Sequence, residues 1–200
     1  MIDATRTTTI LLQGLHDPTD EAAWEEFDAR YRPVLHGFAR RVGLTDVDAA
    51  DVAQETLLRF VREYRAGRYD RTRGRLRSWL LGIARARIAQ VGRDRARQRV
   101  VRGESAIDGM PDDEGLAELW EAERRRVVLR AALEEMRRTS RANDRTIAAF
   151  EMLTLRQMPV AAVADELGVS AHDVYLAKSR MAGKLREIVD RLDRAFEGET

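Results

Sequence analysis

Between Pro159 and Ile188 the apolar residues fall where two short crossed helices can bury them, and that spacing constrains the fold more than any other stretch. Val160 to Leu167 is an amphipathic segment of two turns, Gly168 supplies a tight turn, Val169 is apolar, and Ser170 carries an N-cap side chain for the next helix. Pro159 presets the first helical turn. Val163, Leu167, Val169, Val174 and Ala177 then make the internal contact, and Ala164 is small enough for close approach. The pattern predicts a helix-turn-helix; the plainer alternative is a helical hairpin closed by a glycine.

At about 100° per residue the second of these helices buries Val174, Ala177, Met181, Leu185 and Ile188. Its other face shows His172, Tyr175, Leu176, Ser179, Gly183 and Arg186, with Arg180 on one flank and Lys178 and Lys184 nearer the buried border. The early positions of such a helix reach base edges in a DNA groove, and longer cations hold phosphates. His172, Tyr175 and Ser179 are therefore the candidate base contacts, and Lys178, Arg180, Lys184 and Arg186 the candidate backbone contacts. Leu176 and Gly183 stand where charged side chains are expected.

The rest of the chain is also helical in period, and no segment alternates long enough for a strand, so the expected class is all-α. Asp17 to Asp20 is a turn before a helix carrying Trp24, Phe27, Tyr31, Val34, Leu35 and Phe38. Gly43 stops it, and Thr45 starts another through Ala53, Leu57 and Phe60 to about Tyr64. Gly67 to Gly74 reads as a basic loop, and a third helix opens near Leu76 and dissolves into Arg93 to Arg102. Residues 103–115, with Met110-Pro111-Asp112-Asp113 as a breaker, read as a linker, and Leu116 to about Arg138 as a connecting helix. The expected layout is an N-terminal extension over 1–20, a helical domain over 21–102, a linker and connecting helix over 103–140, a helix-turn-helix domain over 141–192, and a tail over 193–200. Phe196 to Thr200 are expected to fray.

Net charge is +1, but its distribution is uneven. Residues 59–102 hold 15 arginines against 3 acids, whereas residues 1–58 hold 5 basic and 11 acidic side chains. So local an excess attracts phosphate whatever the total, unless it is simply a solvated arginine face. The chain has no cysteine, so thiolate chemistry and disulfides are excluded. No membrane-length apolar stretch and no signal peptide are read, which points to the cytoplasm. His16, His36 and His172 are scattered and there is no glycine-rich phosphate loop, so neither an enzyme nor a cofactor or metal is expected.

The run from Asp48 to Val61, Asp-Ala-Ala-Asp-Val-Ala-Gln-Glu-Thr-Leu-Leu-Arg-Phe-Val, resembles the core-polymerase-binding helix of sigma-70 family transcription initiation factors. Upstream, Trp24, Phe27, Tyr31 and Phe38-Ala39-Arg40-Arg41 resemble the helix before it; downstream, Tyr69-Asp70, Gly74 to Leu80 and Ile83-Ala84-Arg85 resemble the promoter −10 segment. Thr146 to Val189 is similar to region four. The resemblance is to the extracytoplasmic function (ECF) type, which keeps only regions two and four, and it covers most of residues 20–190.

That resemblance implies core RNA polymerase as partner, through its β′ coiled coil and β flap, together with promoter DNA in double- and single-stranded form. An anti-sigma protein is a further partner it allows for. Asp51, Gln54, Glu55 and Leu58 share one helical face, away from Ala49, Ala53, Thr56, Leu57 and Phe60, and are where the polymerase contact carries over. Taken alone, the same face is an ordinary acidic solvent face. Tyr69, Arg75, Arg77, Trp79 and Arg85 are the −10 candidates, since arginines hold phosphate and aromatic faces hold unstacked bases. Trp79 equally suits core packing. Ala86 stands where the family often has asparagine, which removes a donor from −10 readout. The competing functional reading is a regulator that binds a palindrome as a dimer without polymerase.

Overall fold

The computed structural model describes residues 8–70, 75–102, 112–140 and 142–197, and among these the regular structure is entirely helical. Of the expected linker over 103–115, residues 103–111 lie outside the described residues, and Asp113 to Gly115 are a correction: they already form the first turn of a helix, where acidic side chains favour the N-terminal end. The chain divides into two units, Met1–Val127 with Glu197–Thr200, and Val128–Phe196, so the division falls within a helix.

The first unit is built on α2 (Glu21–Arg41), α3 (Asp46–Arg65) and α4 (Leu76–Arg102). Asp20 caps α2 by accepting from the Ala23 amide at 2.9 Å, and Thr45 caps α3 by accepting from the Asp48 amide at 3.2 Å. Phe27, Val34, Leu35 and Phe38 of α2, Val52, Ala53, Leu57 and Phe60 of α3, and Leu80 and Ala84 of α4 have no exposed surface. Phe27 stacks on Phe60 with ring centres 5.3 Å apart. Arg30 is also fully buried, and its Nη2 bonds Glu26 at 2.6 Å.

Two features of this unit differ from the sequence reading. Within the 1–20 extension, Thr8–Leu15 forms a helix, α1, that buries Leu11, Leu12 and Leu15. Arg65 donates to the Leu15 carbonyl at 2.7 Å, satisfying one of the carbonyls left open at the end of α1. Nor does the third helix dissolve: α4 continues to Arg102. Arginine is a good helix former, and Arg95 is held by Asp48 at the start of α3.

A fifth helix, α5 (Asp113–Thr139), contributes its first half to this unit and its second half to the other. The second unit continues with α6 (Asp144–Thr154), α7 (Val160–Leu167) and α8 (Ala171–Glu197). Ala149, Val163, Val174 and Ala177 form its core, with Ala164, Leu167 and Val169 packed around them. Gly168 adopts φ +62°, a conformation strained for any residue with a Cβ, which is why glycine ends α7. Phe196 is a correction: it is helical and 8% exposed, because α8 keeps burying Ile188, Leu192 and Ala195 along the same stripe.

Removing Glu26 leaves the buried Arg30 charge without that carboxylate. Glu26→Ala is expected to destabilise the first unit by about 3 kcal/mol, whereas Glu26→Leu with Arg30→Met recovers most of the loss. All three tryptophans, Trp24, Trp79 and Trp120, belong to this unit, so their fluorescence in a urea titration checks it.

Candidate nucleic-acid interface

On α8, His172, Tyr175, Leu176, Lys178, Ser179, Arg180 and Arg186 are exposed, and Gly183 and Lys184 are half-exposed. The buried stripe is Val174, Ala177, Met181 and Ile188, with Leu185 partly covered. The start of α8 is closed reciprocally. Ser170 Oγ accepts from the Asp173 amide at 3.1 Å, while Asp173 accepts from the Ser170 hydroxyl at 2.6 Å and from its amide at 3.3 Å. The Ser170 hydroxyl bond, then its amide, hold the Asp173 carboxyl below the usual aspartate range. The helix thus presents His172, Tyr175 and Ser179 from a fixed first turn.

On α3, Asp51, Gln54 and Leu58 are exposed, and the opposite side, Ala49, Ala53, Thr56, Leu57 and Phe60, is buried. Glu55 is engaged within the chain: it pairs with Arg87 of α4 at 2.5 Å. A groove of about 560 Å³ opens between the two helices beside this pair. Arg59, Arg62 and Arg93 line it with Leu58 and Ala86, and the sequence reading did not single out these three arginines. Their signal was the spacing of Arg59 and Arg62, three residues apart on one face of α3; what brings Arg93 to them is the packing of α4.

Tyr69 and Trp79 are brought together. Their rings meet edge to face at 5.6 Å, and Tyr69 also packs on Phe60 and Tyr64, each at 5.8 Å. Trp79 Nε1 donates to Glu63 at 3.2 Å, and Glu63 accepts from Arg59 at 2.8 Å. Both rings are therefore half-buried members of an aromatic cluster that continues the core. Arg75, Arg77 and Arg85 are exposed. Arg85 pairs with Asp113, and Arg77 lies 3.4 Å from Glu121. Glu121 itself is held below the usual glutamate range, first by its bond to Arg124 and further by the charges of Arg124 and Arg77.

Among the described residues no cluster of His, Asp or Glu could hold a metal ion, and no helix is long and apolar enough to cross a membrane.

Because the folded Asp173 carboxyl is depressed, its stabilising effect is full above the ordinary aspartate value and is lost as pH falls through the folded one. Asp173→Asn is expected to flatten the acid limb of α8 stability, measured by amide exchange across Ala171–Arg180. Gly183 has open space where a Cβ would sit, so Gly183→Ala is expected to stabilise α8 by about 0.5–1 kcal/mol on thermal unfolding.

No curated protein matches the chain. Residues 27–98 match the family model for sigma-70 region 2, a stretch that runs from the core ring of Phe27 through α3 and most of α4. The segment that carries the Asp51 face and the α4 arginines is therefore similar to sigma-70 region 2.

Proposed function

We propose that the chain is an ECF-type sigma factor: it binds core RNA polymerase, recognises promoter −35 and −10 elements, melts the −10 region and directs initiation in the cytoplasm. The observation that carries this reading is the match to sigma-70 region 2 over the same helices that expose Asp51 and Gln54 on one side and Arg77 and Arg85 on another. An acid-and-amide patch suits a basic partner, and here that partner is the β′ coiled coil. The domain over 21–102 takes polymerase and the −10 strand. The domain over 141–192 reads the −35 duplex with α8 and touches the β flap; His172, Tyr175 and Ser179 reach bases while Lys178, Arg180, Lys184 and Arg186 hold phosphates. Residues 103–140 link the two.

The −10 contacts are assigned to the neighbouring surface. Arg75, Arg77 and Arg85 hold the strand backbone. Tyr69, packed on Phe60 and Tyr64, and Trp79, packed on Tyr69, offer what remains exposed of their rings to unstacked bases. Ala86 has no side-chain donor, so −10 readout here leans on arginines and ring faces. The chain catalyses nothing itself; polymerase supplies the chemistry.

Since Glu55 already holds Arg87, the cleanest reversal of the polymerase face is Asp51→Arg with Gln54→Arg. This variant is expected to lose co-purification with core polymerase and run-off transcription on genomic fragments, while keeping the native helical circular dichroism. Retained polymerase binding overturns the assignment of that face. Specific binding to a palindrome as a dimer, with no transcription from any fragment, replaces the reading with that of a repressor-like regulator.

A further inference from the structure

The first half of α5 sits on the first unit in a built seat. Leu116 and Trp120 are 1% and 2% exposed, and Trp120 meets the Phe38 ring of α2 at 6.0 Å. Glu123, 5% exposed, pairs with Arg41 of α2. Gly37 makes room for that carboxylate, since a Cβ there would lie 2.9 Å from Glu123 Cδ. From this seat two acids reach the proposed −10 arginines: Asp113 pairs with Arg85, and Glu121 lies 3.4 Å from Arg77. The order is antiparallel and the spacing matches, because each pair of residues is separated by two turns and a little more along its helix, about 12 Å.

We propose that Asp113–Val127 is an autoinhibitory strap, whose carboxylates occupy Arg77 and Arg85 in place of DNA phosphates, so that the free chain binds single-stranded DNA weakly. The proposal rests on the reading that these arginines contact the −10 strand. The apolar part of the seat, Leu116 and Trp120, sets where the strap lies; the acids set what it competes with. Both ion pairs are solvent-exposed and so exchangeable, and incoming phosphates displace them one at a time. Such a lock tunes affinity and does not abolish it.

The test is fluorescence anisotropy of the full chain, without polymerase, on a labelled single-stranded oligonucleotide at low salt. Asp113→Asn with Glu121→Gln is expected to bind about fivefold tighter than the native chain, and the gain shrinks as salt rises. Glu21→Gln with Glu25→Gln makes the same change in net charge on exposed positions of α2 and is expected to gain nothing comparable. Gly37→Ala displaces Glu123 without changing charge and is expected to tighten binding as well. The strap is overturned if the two-acid variant binds no tighter than the native chain, if the α2 control gains as much, or if Gly37→Ala leaves affinity unchanged. Adding Arg77→Ala and Arg85→Ala to the two-acid variant separates the strap from the reading beneath it. Loss of the gain supports both, whereas a gain that survives shows that these arginines are not the DNA contact, and the −10 assignment falls.

Discussion

The seam between α2 and α3, where Phe27 stacks on Phe60, fixes the rest of the first unit. Once Val52, Ala53, Leu57 and Phe60 turn inward, the helical period forces Asp51, Gln54 and Leu58 outward; no separate device is needed to expose that acid-and-amide face. The ring contacts continue from Phe60 to Tyr64, which it stacks on, and edge to face through Tyr69 to Trp79. A rigid row of rings therefore connects the core to the start of α4. Rings held this way would lose little further freedom on meeting an unstacked base, which suits the proposed −10 role.

The arginine block from 59 to 102 is less bare than its charge suggests. Arg59 meets Glu63, Arg87 meets Glu55, Arg95 meets Asp48, Arg85 meets Asp113 and Arg77 lies near Glu121. Acids from α3 and α5 are interleaved with the cations of α4. Folding thus converts a segment of strong like-charge repulsion into one whose cations are held on exchangeable carboxylates. Surface pairs of this kind contribute little stability, so the energetic cost of giving them up to phosphate is small.

The α7–α8 hairpin was legible because its signals are local: Gly168 at a left-handed position, Ser170 capping the next helix, and an apolar stripe from Val174 through Ile188. The exposed faces of α3 and α8 were legible for the same reason, since period alone places Asp51, Gln54, His172 and Tyr175. What was hidden depends on partners distant in sequence. Thr8–Leu15 is too short and too apolar to declare itself a helix until Arg65, fifty residues on, bonds its last carbonyl. Past Arg93, α4 meets the start of α3 through Arg95 and Asp48, a pairing no local pattern names. That Glu55 is engaged, that Trp79 donates to Glu63, and that Arg77 and Arg85 face acids of α5 are facts of tertiary packing that no local pattern encodes. The helical class and the segments of the candidate surfaces could be read from the sequence; which of their side chains are already engaged could not.

The central claim is that this chain brings polymerase to a promoter and opens it. Permanganate reactivity of thymines just upstream of a mapped start site measures that opening directly, with core polymerase, the chain, and both together on the same supercoiled template. The account predicts unpaired, reactive thymines only when polymerase and chain are both present. DNA that stays paired under those conditions, while the chain alone protects a duplex site, would contradict it.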